Sequence, residues 1–190
     1  DVLLLLMLVP MLPALGKDAG ASDMHLALLF ATKDIFQVVC APIAGMTTLR
    51  LGARVSFAAS LLGLALSTVA FAEARGFRAL LLARALQGAT SAALMTGGLS
   101  LITQTHDPSS RASAIAKAHS GLGLGAALGP VLGGLACDTL GRRGTFHAAA
   151  ALVLLTFAAQ VVLSVAAPAP LMARQPDSAE EKKPALRQLT

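Results

Sequence analysis

Residues 121–134 read Gly-Leu-Gly-Leu-Gly-Ala-Ala-Leu-Gly-Pro-Val-Leu-Gly-Gly, with a glycine at every fourth position and one proline. The glycines with this spacing are Gly121, Gly125, Gly129 and Gly133. They share one face of a helix, which leaves that face flat and lets a neighbouring helix approach closely. Pro130 removes one backbone donor and bends the helix. Because the surrounding apolar segment, 112–137, can cross about 30 Å of hydrocarbon, we predict a bent membrane helix here.

The composition of the whole chain supports a membrane environment. Of 190 residues, 55% are hydrophobic and 13% are charged, and the mean hydropathy is +0.71. Soluble domains carry about 25% charged residues. The net charge of +5 comes from basic residues scattered among apolar runs, without a basic cluster interleaved with aromatics, so a nucleic-acid partner is not predicted. Cys40 and Cys137 are the only cysteines, which excludes a disulfide scaffold.

The predicted fold class is an all-α integral membrane protein. Six apolar segments are separated by short polar stretches, at about 2–15, 24–48, 55–72, 79–103, 112–137 and 145–167. They show no sustained two-residue alternation, so they are predicted as helices rather than barrel strands. Residues 1–167 would form one six-helix bundle, with 168–190 as a polar cytoplasmic linker. The chain begins at Asp1 without a signal peptide, which we interpret as a truncation.

The distribution of basic residues gives a preferred orientation. With the amino terminus in the cytoplasm, the inner loops and the tail hold more lysine and arginine than the outer loops. This excess depends on the basic residues of the tail. The turn around His106 and Asp107 would then lie on the cytoplasmic side.

Among the ionisable residues within or at the head of apolar segments, three stand out: Asp1, Lys33 and Arg84. Such residues are costly in a bilayer and usually face a cavity or a partner. Gln37 and Gln87 follow Lys33 and Arg84 by four and three residues, which places each pair on one helix face. The pairs could bind a polar ligand, or they could join neighbouring helices. Asp1 could also be a loop residue, and Lys33 could pair with Asp34.

No pattern of catalytic residues is present, so an enzyme is not predicted. The histidines have no spacing typical of metal ligands, and the cysteines form no CxxC motif. No serine lies in a nucleophile elbow. We therefore expect neither a metal nor a cofactor.

Three motifs together resemble the N-terminal half of a major facilitator superfamily transporter. Residues 45–54, Gly-Met-Thr-Thr-Leu-Arg-Leu-Gly-Ala-Arg, are similar to its cytoplasmic loop motif G-x-x-x-D-R-x-G-R-[RK], with Leu49 at the acidic position. Residues 84–88, Arg-Ala-Leu-Gln-Gly, are similar to R-x-x-Q-G on the fourth helix, whose arginine is linked to proton coupling. Residues 125–134 resemble the fifth-helix antiporter motif G-x-x-x-G-P-x-x-G-G. The resemblance assigns conformational roles to Gly45, Arg50, Gly52, Arg54, Gln87, Gly88, Gly125, Gly129, Pro130, Gly133 and Gly134.

Other stretches resemble the vesicular amine transporter family, which exchanges protons for cationic transmitters. Asp1 with Pro10 and Pro13 is similar to its first helix, and residues 30–37, Phe-Ala-Thr-Lys-Asp-Ile-Phe-Gln, are similar to its second. The resemblance implies that Asp1 contacts the substrate cation. It also implies that Lys33 pairs with an acidic residue in a C-terminal half. Two asparagines of the amine carriers are replaced here, by Val2 and Ala41, which implies a different substrate.

These observations predict a proton-coupled antiporter of small organic cations in a vesicle or plasma membrane. Its substrate site would include Asp1, Lys33, Gln37 and Arg84, with Asp1 and Arg84 in proton coupling. Its partners would be the organic cation, protons, the lipid bilayer and the C-terminal half. Two alternatives are a multidrug–proton antiporter of the same superfamily and a truncated fragment that does not transport.

Overall fold

The computed structural model describes residues 23–166, and this part of the chain contains helices and no strand. The first three helices are α1 (Asp23–Leu51), α2 (Ala53–Glu73) and α3 (Phe77–Thr105). A last helical stretch covers Pro108–Ala166 and is interrupted by one non-helical residue, Gly141. We call its two parts α4 (108–140) and α5 (142–166).

These helices cover the second to sixth apolar segments of the sequence. Three of the helical stretches are long and apolar enough to cross a membrane: Met24–Leu51, Ala53–Glu73 and Pro108–Ala166. The first predicted segment, 2–15, and the linker, 168–190, lie outside the described residues. The all-helical fold is therefore confirmed for 23–166, whereas the number of six membrane spans stays a prediction.

Gly141 explains why the last two predicted segments form separate helices. Its φ of 66° and ψ of 175° fall in a region of backbone conformation that is almost exclusive to glycine. The helix axis is interrupted there, so α5 starts in a new direction without a long loop. The other connections in the described part are equally short, since only Gly52, Ala74–Gly76 and His106–Asp107 separate the helices.

The helix α3 occupies the centre of the bundle, with α1 against one side and α2 against another. The α4–α5 stretch packs on α2 and makes little contact with α3. A core cluster joins the ends of α1, α2, α3 and α5. Its members are Leu29, Phe71, Ala72, Ala74, Leu80, Ala83 and Phe146.

Polar side chains inside the helices satisfy their hydrogen bonds locally. Ser67 and Thr68 are completely buried, and both donate to the carbonyl oxygen of Leu64, at 2.9 and 2.7 Å. This back-bonding keeps hydroxyl groups compatible with lipid. Large apolar side chains, in contrast, are exposed along α1 and α5, for example Val38, Val39, Leu155 and Val165. Such faces suit contact with acyl chains or with another apolar helix.

Candidate functional site

Lys33 is a buried cation in the middle of α1, with only 3% of its surface exposed. Its Nζ donates to Oε1 of Gln37 at 3.0 Å, one helical turn away. It also lies 3.7 Å from Oδ1 of Asp34, whose side chain is 66% exposed. Lys33 and Gln37 therefore share one helix face, as predicted, and bond to each other, and the alternative pairing of Lys33 with Asp34 is also observed. The amide and the carboxylate both stabilise an ammonium group that has lost its water shell.

Arg84 is the largest fully buried side chain of the described residues, at 2% exposure. Its Nη1 donates to Oε1 of Gln87 at 2.6 Å. The guanidinium carbon lies 5.1 Å from the ring centre of Phe71 and 5.7 Å from that of Phe30. Both distances allow a cation–π interaction, which is strongest where water is excluded. Arg84 thus faces the interior of the bundle and not the lipid.

Gly88 brings the two cations into one layer. It lies on α3 one turn after Arg84, and a Cβ placed on it would overlap the backbone carbonyl oxygen of Lys33. The same Cβ would lie 3.0 Å from Cβ of Phe36 and 3.1 Å from the backbone nitrogen of Gln37. Glycine is therefore required for α1 and α3 to pack this closely. We call Lys33, Gln37, Arg84, Gln87 and Gly88 the cationic layer.

The charge of Arg84 is incompletely balanced within the described residues. Among residues 23–166, no carboxylate oxygen lies within 4.0 Å of a guanidinium nitrogen of Arg84. Nε of Arg84 is buried without a hydrogen-bond partner. Its one side-chain acceptor, Gln87, is neutral. A buried guanidinium in this state attracts an anion and favours the ionised form of any carboxyl group that approaches it.

The loop motif lies at the far end of α1, well away from the cationic layer. Gly45 is twelve residues after Lys33, which corresponds to about 18 Å along the helix. Gly52 forms the whole connection between α1 and α2, with φ 84° and ψ 152°. The turn is closed by a 2.8 Å hydrogen bond between the buried hydroxyls of Thr48 and Ser56. The two arginines of the motif, Arg50 and Arg54, flank this turn, exposed and half-buried respectively.

The glycine-rich motif lies on α4. Gly129 and Gly133 are buried, whereas Gly125, Pro130 and Gly134 are half-buried. Leu128, Val131 and Leu132, which lie between them in sequence, are exposed. Of the four glycines in the predicted stripe, the last two are therefore buried, whereas Gly121 is exposed and a Cβ there would meet nothing within 4 Å. The structure groups these residues on α4 and leaves them apart from the cationic layer.

Asp1, the predicted cation-binding carboxylate, lies outside the described residues. Its role stays a prediction.

Sequence reasoning missed a polar cluster where α2 ends and α5 begins. Nη1 of Arg142 donates to the carbonyl oxygens of Phe71 and Ala72, at 3.4 and 3.3 Å. Oε1 of Glu73 lies 2.8 Å from Nε2 of His147, and Oε2 lies 3.8 Å from Arg143. The two ends are about 70 residues apart in sequence. The one sign of this cluster in the sequence is that polar residues follow the apolar segments 55–72 and 112–137.

Comparison with known proteins identifies the family to which the chain belongs. The family model described as Major Facilitator Superfamily matches residues 3–189. The synaptic vesicular amine transporter of Mus musculus is 33% identical over 153 residues, which is 80% of this chain and 30% of that protein. The quinolone resistance protein NorA of Staphylococcus aureus (strain MRSA252) is 29% identical over 157 residues, which is 83% of this chain and 40% of that protein.

A third relative is the probable vesicular acetylcholine transporter-B of Danio rerio, which is 29% identical over 155 residues. The alignment covers 77% of this chain and 31% of that protein. The chain thus spans about a third of the length of these relatives. The family match covers nearly all of the chain and agrees with the apolar helices of a multi-pass membrane protein. The chain therefore belongs to the Major Facilitator Superfamily of membrane transporters.

Proposed function

We propose that this chain forms the N-terminal part of a proton-coupled antiporter that carries small organic cations. One observation carries the proposal: Arg84 is buried at the level of Lys33, its Nε has no hydrogen-bond partner, and no carboxylate among residues 23–166 lies within ion-pair distance of it. A charge held in this way is expensive and is usually retained for function. The amine transporter relatives support organic cations as the substrate class.

In this proposal the cationic layer controls a carboxylate that binds either the substrate or a proton. Asp1 is the candidate carboxylate, at the head of the first apolar segment. When ionised, it attracts the substrate cation, more strongly where water is scarce. When protonated, it releases the cation. Arg84 favours the ionised form, so that the proton leaves when the path opens to the less acidic side.

Lys33, held by Gln37 on α1, has the opposite effect on the substrate: it repels the cation that the carboxylate attracts. An ammonium group repels a free cation, and the exposed carboxylate of Asp34, 3.7 Å from Nζ of Lys33, offsets this repulsion only in part. We propose that an acidic residue of the C-terminal half pairs with Lys33 in one conformation. Breaking and forming this pair then accompanies the alternation of access between the two halves.

The two remaining motifs supply the moving surfaces. The turn at Gly52 fixes the relative position of α1 and α2 through the Thr48–Ser56 hydrogen bond. The glycine face of α4 allows close approach of another helix without interlocking side chains. Both features suit rigid-body rocking of one half against the other.

A second candidate function is multidrug–proton antiport. Ala41 lies one turn after Gln37 and is exposed, so this face of α1 offers a methyl group where an amide would give hydrogen bonding. A less polar surface tolerates larger and more varied cations. The match to a quinolone resistance protein supports this alternative.

Uptake by the full-length protein in proteoliposomes separates the two functions. The vesicles are loaded at acidic pH, and radiolabelled aryl ethylamines are compared with lipophilic cationic dyes in the external buffer. Amine antiport predicts gradient-dependent uptake of the amine that a tenfold excess of dye reduces only weakly. Multidrug antiport predicts uptake of both, with strong mutual competition. Uptake that persists after a protonophore collapses the gradient would contradict proton coupling in either form.

A further inference from the structure

The ring of Phe71 on α2 is one of two aromatic rings that face the buried guanidinium of Arg84. The guanidinium carbon lies 5.1 Å from the centre of this ring, closer than the 5.7 Å that separates it from the ring of Phe30. Phe71 and Arg84 are both only 2% exposed, and residues 23–166 alone enclose them to this extent. The contact is therefore shielded from water, the setting in which a cation–π interaction is strongest.

Hydrogen bonding alone does not fix the guanidinium of Arg84 relative to the other helices. Its Nη1 donates to Oε1 of Gln87, which lies three residues later on the same helix, so this bond ties the side chain to α3 only. Its Nε is buried without a hydrogen-bond partner. An arginine side chain has many rotamers, and ordering it requires contacts that offset the lost freedom. The rings of Phe30 and Phe71 supply such contacts from α1 and α2.

Phe71 is itself held by α5 through two contacts. Its ring packs on the ring of Phe146, with the ring centres 4.8 Å apart and the planes tilted by 58°. Phe146 is only 4% exposed, so this pair also lies in the interior. The backbone carbonyl oxygen of Phe71 accepts a hydrogen bond from Nη1 of Arg142 at 3.4 Å. Phe71 thus connects α5 to the side chain of Arg84.

We propose that Phe71 is a positioning residue for Arg84, and that its ring holds the guanidinium at the depth of Lys33. The proposal rests on the function proposed above, in which Arg84 favours the ionised form of a coupling carboxylate. Because Coulomb attraction weakens with distance, a guanidinium that leaves this position stabilises the carboxylate less. Phe71 therefore affects proton release through Arg84 and not through contact with the amine.

A purely structural role of the ring is the alternative to be distinguished, because Phe71 also belongs to the core cluster with Phe146. The two roles differ in how they depend on the charge distribution of the ring. Fluorine atoms on the ring withdraw electron density from its face, which weakens the attraction for a cation and changes the size of the ring little. Fluorinated phenylalanines at position 71 therefore separate the two roles in a protein that still folds.

The first experiment measures the contact itself in the full-length protein. Phe71 is replaced by monofluoro-, difluoro- and trifluorophenylalanine, both in the wild type and in Arg84→Gln, and the unfolding equilibrium is recorded in mixed micelles. In the wild type, the trifluoro ring should raise the unfolding constant about fivefold, and rings with fewer fluorines should have smaller effects. In Arg84→Gln, the same series should have an effect of less than about twofold. Equal effects in the two backgrounds would overturn the proposal.

The second experiment measures what the contact does in coupling. Proton release per amine taken up is recorded in proteoliposomes for Arg84→Gln and for trifluorophenylalanine at position 71. The control carries trifluorophenylalanine in place of Phe157, a half-buried ring of α5 in a stretch, 148–166, without charged residues. We expect the variant at position 71 to release at least about twofold fewer protons per amine, because the guanidinium spends less time in position. The variant at position 157 should behave as wild type.

The outcomes separate the positioning role from the function on which it rests. Normal proton release by trifluorophenylalanine at position 71, together with impaired release by Arg84→Gln, would overturn the role of Phe71 and leave the proposed function intact. Normal release by Arg84→Gln itself would contradict the proposed function, and the positioning role with it.

Discussion

Gly88 of α3 lies directly against the backbone carbonyl of Lys33 in α1, with no room for a Cβ between them. This contact fixes the depth of both buried cations, because Arg84 lies one turn before Gly88 on the same helix. The motif R-x-x-Q-G therefore has a steric component in addition to its charge. Gly88 leaves room for the backbone of α1, and Arg84 and Gln87 provide the polar groups at the same depth.

Gly88→Ala should separate α1 from α3 and destabilise the protein. The added methyl group meets a backbone oxygen, which cannot move without shifting the whole helix, and overpacking of this kind costs about 1–3 kcal/mol. The free energy of unfolding in mixed micelles measures the effect. Gly45→Ala is the matched control on α1, since a Cβ there meets open space, and it should not destabilise the protein but stabilise it by up to about 1 kcal/mol through helix propensity. Equal effects of the two substitutions would argue against a close contact at Gly88.

Gly52→Ala should also destabilise the protein, but for a different reason. A Cβ at Gly52 meets nothing within 4 Å, so the cost arises from the backbone alone. At φ 84° and ψ 152°, a residue with a side chain loses about 1–3 kcal/mol. The unfolding free energy of Gly52→Ala measures this cost, again with Gly45→Ala as the control. A neutral Gly52→Ala would mean that the turn adopts another conformation.

Arg142→Met should weaken the attachment of α5 to α2. The guanidinium donates to two carbonyl oxygens at the end of α2 that have no further helical turn to bind them. We expect a loss of about 1 kcal/mol in unfolding free energy, because the bonds are long and partly exposed. The adjacent Arg143→Met removes only an exposed ion pair with Glu73 and should have a much smaller effect. A larger effect at Arg143 would contradict this account.

Much of the architecture follows from hydropathy, and the reasons are local. The segments from 24 to 167 are mainly apolar, and backbone groups in lipid must bond within their own segment, so each becomes a helix. The pairs Lys33–Gln37 and Arg84–Gln87 are set by helical spacing alone, and both are observed as hydrogen bonds. These properties depend on residues within one or two turns of each other.

The features that sequence reasoning missed depend on packing between distant segments. Nothing near Gly88 indicates that Lys33 is its neighbour, and nothing near Glu73 indicates His147. Gly97 was also unremarkable in sequence, yet a Cβ there would lie 3.1 Å from the backbone nitrogen of Phe57. Tertiary contacts of this kind require coordinates.

The most direct test of the central claim is a proton–amine coupling measurement on Arg84→Gln. Full-length protein is reconstituted with a pH-sensitive dye in the lumen, and the proton efflux caused by adding amine is recorded together with amine uptake. Arg78→Gln is the control, because Arg78 is an exposed cation on the same helix. The account predicts that Arg84→Gln folds and still binds amine but releases at least tenfold fewer protons, whereas Arg78→Gln behaves as wild type. Normal proton release by Arg84→Gln would contradict a role for the cationic layer in coupling.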